Sequence, residues 1–243
     1  MIPCLNEAEG LRELLPKLRT LVDEIVVVDN ASTDDTAAVA RSMGARVIRE
    51  EINVGYGRAY KLGLPAATGE IFITMDGDGT YPCAVIPEAI AFMERRKLDF
   101  VNCARFPLRT RRVMPWKNYV GNRLTTLATR LVFRFPLADS LSGMWVIRKK
   151  ILSRILPQSD EMAFSLEIKV NAIIADDVRF GEYYIPYRGR AGGLLPLFAG
   201  WEGIFGGALA SRYFPQQIFF ARCLGRGVVP WWDPSVFAGA SPV

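Results

Sequence analysis

Short runs rich in apolar and β-branched residues alternate with helix-period apolar residues along the first hundred positions. The runs cover 24–29, 45–49, 71–75 and 100–104. Runs of this length predict buried strands. Between them, apolar residues recur three and four positions apart, as from Leu11 to Leu18, which is the period of an amphipathic helix. The alternation predicts an α/β fold, Rossmann-like, with a mostly parallel sheet flanked by helices.

Polar residues suited to capping precede the first two helical patterns. Asn6 is expected to cap the first helix. Ser32 and Asp35 form an approximate capping box for the second. Ahead of them, Met1 to Cys4 has the pattern of the last residues of a strand, so the first strand is expected to be truncated.

The run at 71–75 leads directly into two aspartates, Asp76 and Asp78. Residues two apart in an extended segment share one side, so both carboxylates can reach one hard cation. In open α/β sheets, ligands bind at the carboxyl ends of the strands, where this pair lies. The pattern favours a Mg²⁺ or Mn²⁺ site that holds a diphosphate, although a solvated turn has the same Asp and Gly composition.

Other strand ends bring further polar groups to the same edge of the predicted sheet. Residues Pro3 to Glu7 follow the first strand, and Asp29 ends the second. One acid could accept hydrogen bonds from a nucleobase and another from a ribose, so the expected ligand is a nucleoside diphosphate. Gly55 and Gly57 resemble a dinucleotide-binding fingerprint only loosely, because they follow the third strand.

The alternation stops after residue 104, and a long helical pattern follows at 116–135. Its apolar residues fall on one stripe, with three arginines along the edge of that stripe. The stripe consists of Trp116, Tyr119, Val120, Leu124, Leu127 and Leu131, and the arginines are Arg123, Arg130 and Arg134. An apolar stripe edged by arginines suits a membrane interface. A helix packed on the sheet with solvated arginines is the alternative.

Charge is distributed unevenly along a chain whose formal net charge is +5. The segment from Phe100 to Ala138 contains no acid, which favours an anionic partner such as a phosphate or a membrane surface. Nucleic acid is not expected, because the aromatic residues of this segment do not interleave with the arginines. The absence of His excludes His triads, His general bases and most zinc sites.

Cysteine usage and hydropathy bear on the compartment. Cys4, Cys83, Cys103 and Cys223 show no metal-ligand spacing and are typical of reduced, buried thiols in a cytosolic protein. No apolar run reaches the roughly 18 residues of a spanning helix. We therefore expect a cytoplasmic protein that is peripheral on the cytoplasmic face of a membrane. The Gly-, Trp- and Phe-rich residues 191–243 are expected to add amphipathic, interfacial helices.

Several short motifs occur in order along residues 1–190. They are Ile2–Glu7, Val26–Asp34, Asn53–Gly57, Met75–Pro82, Gly121–Arg123, Asp139–Gly143 and Ile185–Arg188. The ordered set resembles the inverting glycosyltransferases of family 2, which have the GT-A fold. Within that family, the chain is most similar to the dolichyl- or polyprenyl-phosphate hexose synthases. The resemblance implies a GT-A domain over residues 1–190 and a C-terminal tail over 191–243.

The resemblance also implies a role for each matching position. The donor site would use Pro3, Leu5, Glu7, Asp29, Gly55, Gly57 and Asp76. Asp76 would face the ribose or sugar, and Asp78 would bind the metal, Mg²⁺ or Mn²⁺. The acceptor phosphate or the donor diphosphate would be held by Arg105, Arg123, Ser142, Arg188 and Arg190. Family members often carry a lysine a few residues after the Arg188 position, and Arg190 is expected to substitute for it.

The implied reaction moves a hexose from a GDP- or UDP-linked donor to a polyprenyl phosphate. The attacking phosphate oxygen is already anionic, so this reaction requires no strong base, which agrees with the absence of His. A saccharide hydroxyl as acceptor is the first alternative. It would need a base, for which Asp139 is the candidate and Glu167 the second.

Two alternatives come from other classes of protein. Residues 76–80 match the Asp-x-Asp-Gly-Thr signature of the haloacid-dehalogenase-like phosphohydrolases, with Asp176 and Asp177 as a distal acidic pair. That signature normally ends the first strand, whereas three strand–helix units precede it here. The other alternative is an inactive protein that binds a nucleotide sugar.

Overall fold

The computed structural model describes residues 1–110 and 113–189. The strands of this part are β1 Ile2–Cys4, β2 Val26–Asn30, β3 Arg46–Glu50, β4 Ile71–Thr74, β5 Phe100–Ala104, β6 Trp145–Arg148 and β7 Phe180–Tyr184. Its helices are α1 Ala8–Leu18, α2 Thr36–Ser42, α3 Tyr56–Ala66, α4 Ile86–Arg95, α5 Trp116–Phe133, α6 Leu152–Ile155 and α7 Phe164–Ile174. The predicted alternation of strands and helices is confirmed.

The strands form two hydrogen-bonded groups that meet at β1 and β4. In the first group, β1, β2 and β3 run parallel. In the second, the order is β4-β6-β5-β7, with β5 and β7 parallel and β6 antiparallel to both of its neighbours. The Met1 nitrogen donates to the Ile73 carbonyl at 2.8 Å, which joins the two groups edge to edge. The mostly parallel sheet is therefore confirmed, with β6 as its reversed strand.

Apolar side chains pack in two buried clusters, to which alternate residues of the same strands contribute. One cluster includes Leu11 and Leu15 of α1, so the apolar face predicted for that helix is confirmed. In the other, Tyr60 of α3 stacks on Phe164 of α7 with 5.2 Å between ring centroids, and both lie against Trp145. Each fully buried side chain of this size contributes about 1.5–3 kcal/mol.

The two predicted helix caps are wrong, because both side chains make tertiary contacts instead. Helix α1 follows Glu7 without a side-chain cap. The Asn6 Oδ1 atom accepts hydrogen bonds from the backbone N–H groups of Thr33 and Asp34 at 2.8 and 3.3 Å. The Ser32 hydroxyl accepts the Asn6 N–H at 2.9 Å. These contacts tie the loops after β1 and β2 together at the carboxyl edge of the sheet.

Helix α5 turns its apolar stripe outward. Its buried residues are Gly121, Asn122, Thr126 and Thr129, which are small or polar. The Thr126 hydroxyl lies 2.9 Å from that of Ser140, so the inner face packs through hydrogen bonds. The exposed large apolar residues are Trp116, Val120, Leu124, Leu127 and Leu131, whereas Tyr119 of the predicted stripe is half-buried. None of the helices described is long and apolar enough to cross a membrane. The helices expected in 191–243 lie outside the described residues.

Candidate active site

Asp76 and Asp78 lie in the loop that follows β4. The Tyr56 hydroxyl donates to Asp76 Oδ1 at 3.3 Å. Gly143 packs against the same carboxylate, since an added Cβ there would stand 2.9 Å from Asp76 Oδ2. Burial and then the neighbouring Asp78 charge raise the pKa of Asp76 to about 7, against an opposing effect of Arg105. A cation at this site would relieve the repulsion between the two carboxylates.

The Asp78 side chain closes a tight local turn. Its Oδ1 atom accepts the Thr80 N–H at 3.0 Å and the Thr80 hydroxyl at 2.7 Å. Gly77 leaves room for the first strand, since a Cβ there would stand 2.9 Å from the Cys4 sulfur. Gly79 has a φ of +74°, a conformation that favours glycine. The two glycines therefore allow the backbone conformation of this loop, and that conformation fixes the position of Asp78.

The residues predicted to bind the donor nucleoside lie beside this loop, at the ends of β1 and β2. Asp29 is fully buried, and its Oδ1 accepts the Ser32 N–H at 3.0 Å. Its Oδ2 has no hydrogen-bond partner within the described chain, and Arg49 Nε lies 3.7 Å away. A buried acceptor without a donor is costly unless a ligand supplies one. Leu5 is 43% exposed at the same edge, and Pro3 and Glu7 are half-buried.

Gly55 and Gly57 pack against protein rather than opening onto a pocket. A Cβ on Gly55 would stand 2.4 Å from the Asp160 carbonyl oxygen, and one on Gly57 would stand 2.7 Å from Cβ of Phe164. The Arg58 N–H also donates to the Asp160 carbonyl at 3.0 Å. The loop before α7 approaches these two positions so closely that a side chain would not fit at either of them, which explains why both are glycine.

Arg105 and Asp139 form a buried ion pair with two side-chain hydrogen bonds. Arg105 Nε and Nη2 donate to the two carboxylate oxygens at 2.7 and 2.9 Å, and the Arg105 N–H donates at 3.0 Å. Burial acts to raise the pKa of Asp139, but the Arg105 charge and its hydrogen bonds hold it below the ordinary value. An inaccessible carboxylate in this state is poorly suited to accept a proton from a substrate hydroxyl. The second candidate base, Glu167, accepts the N–H groups of Gln158 and Ser159 at 3.0 and 3.1 Å.

The remaining phosphate-binding candidates differ in accessibility. Arg123 is exposed on α5, and its guanidinium lies 5.6 Å from the ring of Phe106, which also contacts Arg105 at 5.8 Å. Arg188 is exposed, and its N–H donates to the Thr80 carbonyl at 3.1 Å, which places it beside the aspartate loop. Ser142 is fully buried, and its hydroxyl donates to the Cys103 carbonyl at 2.6 Å. Arg190 lies outside the described residues.

Sequence reasoning missed three side chains that support this site. Tyr56 contacts Asp76, and the Tyr81 hydroxyl accepts the Gly143 N–H at 2.6 Å. Lys169 is fully buried and donates to the Ser142 carbonyl at 2.8 Å. The signal in the sequence for the last of these is a lysine within a mostly apolar helix, and its contact with Ser142 spans 27 residues, which no local pattern shows.

The carboxylates offer a cation few protein ligands. Within the described residues, no group of three or more potential His, Cys, Asp or Glu ligands is gathered at one point. Two carboxylates nevertheless fit Mg²⁺ or Mn²⁺, because such ions commonly take one or two carboxylates and complete their shell with phosphate oxygens and water. The residues present therefore fit a cation that binds together with a diphosphate.

Comparison with known proteins identifies the family. Residues 1–156 match the family model for glycosyl transferase family 2. An uncharacterised glycosyltransferase of Mycobacterium tuberculosis is 34% identical over 193 residues, which cover 79% of this chain and 86% of that protein. The dolichyl-phosphate hexose transferase of Haloferax volcanii is 30% identical over 203 residues, covering 82% and 86%. The chain belongs to glycosyl transferase family 2 and is a glycosyltransferase.

Solved structures confirm the fold. The glucosyl-3-phosphoglycerate synthase of Mycobacterium tuberculosis superposes with a TM-score of 0.69 at 19% identity, covering 95% of this chain and 80% of that one. The GT-A fold expected from the motifs is thereby confirmed. The phosphohydrolase alternative is set aside, and the aspartate pair follows the fourth strand instead of the first.

Proposed function

We propose that this glycosyltransferase moves a hexose from a nucleoside-diphosphate sugar to a polyprenyl phosphate. The observation that carries the proposal is the buried Arg105–Asp139 pair. In this pair Asp139, the candidate base, is not available to deprotonate a hydroxyl acceptor. A phosphate oxygen is already anionic and attacks without a base. The names of two relatives support this acceptor class: the dolichyl-phosphate hexose transferase of Haloferax volcanii, and the dolichol-phosphate mannosyltransferase of Pyrococcus furiosus, 30% identical over 169 residues.

The donor would lie along the carboxyl ends of β1, β2 and β4. Asp29 Oδ2, buried without a hydrogen-bond donor in the described chain, would accept one from the nucleoside. Asp76 would face the sugar side, and Asp78 would hold the cation with the diphosphate. A structure of the glucosyl-3-phosphoglycerate synthase holds Mn²⁺ and UDP on the same fold, which supports a donor and cation of this kind.

The transfer itself requires stabilisation of charge on the departing diphosphate. A phosphate oxygen of the acceptor forms a bond to the anomeric carbon, and the bond from that carbon to the β-phosphate oxygen breaks with inversion. A bound Mg²⁺ or Mn²⁺ would supply Lewis-acid stabilisation of the leaving group. Arg123 and Arg188, which are exposed, would hold the phosphates, and Arg105 and Arg190 remain predictions for the same role. Ser142 would act through its backbone, because its hydroxyl already donates to the Cys103 carbonyl.

The membrane is the expected location of a polyprenyl acceptor. Helix α5 presents an outward apolar stripe together with Arg123, Arg130 and Arg134, and it contains no acid. Such a face can bury its leucines at the lipid boundary while its arginines contact anionic headgroups. The protein would then bind the membrane surface peripherally, on its cytoplasmic face, with the active site near the lipid phosphate.

A direct test is donor turnover with a lipid acceptor. The protein is incubated with Mn²⁺, a panel of UDP- and GDP-sugars, and a short polyprenyl phosphate. We expect release of the nucleoside diphosphate and formation of an acid-labile glycolipid. Asp78→Ala should lower both by about 100-fold or more, because the cation and diphosphate lose their carboxylate.

Asp23→Ala is the matched control, since Asp23 is an exposed aspartate just before β2, on the opposite edge of the sheet. It should keep wild-type turnover. Nucleotide release with saccharide acceptors and none with polyprenyl phosphate would overturn the assigned acceptor. A lack of turnover with every donor would overturn the proposal as a whole.

A further inference from the structure

Lys169 is a buried amino group that the proposed reaction does not use, and burial lowers its pKa well below the ordinary value. Its side chain has 0% exposure on helix α7. Its Nζ donates to the carbonyl oxygens of Ser142 and Ser165 at 2.8 and 2.6 Å, and it lies 3.0 Å from the Ser165 hydroxyl. It also stands 4.7 Å from the centroid of the Trp145 ring. These partners are neutral, so they offset only part of the cost of removing an ammonium group from water.

The carbonyl that Lys169 binds is held by more donors than a carbonyl needs. The Ser142 oxygen also accepts the Trp145 indole N–H at 2.6 Å and the Ser165 hydroxyl at 3.2 Å. A carbonyl oxygen has two lone pairs, so three donors fix its orientation closely. This degree of restraint is unusual for a loop residue and points to a need for one particular peptide orientation.

The other side of the same peptide faces the catalytic aspartate loop. The Gly143 N–H of this peptide donates to the Tyr81 hydroxyl at 2.6 Å. The carbonyl of the following peptide, that of Gly143, accepts the Thr74 hydroxyl at 3.1 Å. The Asp76 carboxylate lies so close that a Cβ on Gly143 would stand 2.9 and 3.0 Å from its two oxygens. A rotation of the Ser142–Gly143 peptide would therefore displace this carboxylate.

We infer that Lys169 is a positioning residue for glycosyl transfer. Through the Ser142 carbonyl it holds the Ser142–Gly143 peptide in the orientation against which Asp76 rests. Its contribution is to geometry at the aspartate and not to stability, because an apolar side chain would avoid the desolvation of the ammonium group. The kinetic part of this inference rests on the proposed function, whereas the structural part does not.

The test compares Lys169→Met with Ile168→Ala in the full chain. Methionine has a similar length without a charge, and the Ser142 oxygen keeps its other two donors. We expect Lys169→Met to keep or raise Tm while kcat falls by about 10- to 100-fold, with the donor KM changed by less than about threefold. Ile168 is a fully buried neighbour of Lys169. Ile168→Ala should lower Tm by roughly several degrees and leave kcat nearly unchanged.

Crystal structures of the wild type and of Lys169→Met give an independent readout. We expect a rotated Ser142–Gly143 peptide or a displaced Asp76 carboxylate in the variant. Unchanged positions of both, or a kcat loss that merely follows a fall in Tm, would overturn the inference. If the wild type transfers no sugar, the proposed function fails, and the comparison of structures still decides the role of Lys169.

Discussion

Asp76, which the proposed function places beside the donor sugar, carries an energetic cost at neutral pH. Burial and the charge of Asp78 raise its pKa to about 7, whereas an aspartate in the unfolded chain titrates near about 4. Between these values the folded protein binds more protons than the unfolded chain. Stability therefore falls as pH rises through this window, and the penalty is complete above pH 7.

Asp76→Asn should remove this penalty. We expect the variant to be more stable than the wild type by about 1–3 kcal/mol at pH 8 and nearly equal at pH 4, while transfer activity is lost. Thermal unfolding at both pH values measures the difference, with Asp23→Asn as the exposed control. A gain in Tm that is the same at pH 4 and pH 8 would show that the titration of Asp76 is not its source.

Gly143 matters because of what lies next to it. A methyl group there would stand 2.9 Å from an Asp76 oxygen, so the carboxylate must move by a few tenths of an ångström. Displacements of this size at a reacting centre lower rates strongly, and we expect Gly143→Ala to reduce kcat by about tenfold or more. Gly69→Ala is the matched change, because its nearest contact is 3.6 Å away. Equal activity of the two variants would contradict the supporting role of Gly143.

Among the elements, Asp99 joins the start of β5 to its neighbours. It is buried and accepts hydrogen bonds from Arg179 Nε at 2.9 Å and from the Arg179 N–H at 3.2 Å, while Lys150 Nζ lies 2.8 Å away. Burial acts to raise the pKa of Asp99, but these cationic partners hold it below the ordinary value. The stabilisation is therefore present above about pH 4 and lost as pH falls further.

Asp99→Asn should weaken this junction at neutral pH. Because Lys150 and Arg179 are largely exposed and screened by water, we expect a loss of only about 1–2 kcal/mol at pH 7. The difference from wild type should shrink at pH 3, because Asp99 of the unfolded chain binds a proton there while its carboxylate in the folded protein is still ionised. Urea unfolding at the two pH values provides the comparison, and a pH-independent difference would count against the ion pairs.

Helix α5 is predicted to contact the membrane through its outward stripe. Leu131 on this stripe and Ile52 in the loop after β3 have the same exposure, 71%, which makes them a matched pair. Leu131→Asp should reduce binding to vesicles that contain anionic lipid by about tenfold, because a buried leucine contributes about 1.5–3 kcal/mol. Ile52→Asp should leave binding unchanged. Vesicle co-sedimentation measures both, and equal losses would argue against docking through α5.

At the scale of the whole molecule, the proposed donor site would span both groups of strands. Asp29 belongs to β2, and Asp78 follows β4, so nucleoside and diphosphate would bridge them. We expect UDP or GDP together with Mn²⁺ to raise Tm by more than the sum of their separate effects, because the cation offsets the charge between carboxylates and phosphates. At ligand concentrations about 100 times Kd, the gain is about 2.7 kcal/mol.

EDTA should reverse this gain in Tm. Asp78→Ala should abolish the joint effect of cation and nucleotide, while the Tm shift produced by nucleotide without Mn²⁺ should stay as in the wild type. Thermal shift assays with each component and with both provide the measurement. Additive shifts in the wild type would mean that cation and nucleotide bind independently, and the shared site would have to be abandoned.

Much of the fold could be predicted from the pattern of apolar and polar residues within short stretches of the sequence. The strand at 100–104 is observed with the predicted bounds, and the helical pattern at 116–135 is observed as α5, Trp116–Phe133. The aspartate pair was found because an apolar run that ends in acids is a signal contained within a few residues. The direction of α5 was not predictable, since an apolar stripe reads the same whether it faces the sheet or the solvent.

The sequence by itself determined the alternation of strands and helices, the ordered family motifs and the position of the acids at strand ends. These depend on backbone periodicity and on neighbours a few residues apart. Only the tertiary structure decided that Arg105 neutralises Asp139, 34 residues away, and that Lys169 binds the Ser142 carbonyl, 27 residues away. The physical reason is that burial and hydrogen bonding between distant segments depend on how the elements pack, and no local pattern encodes that packing.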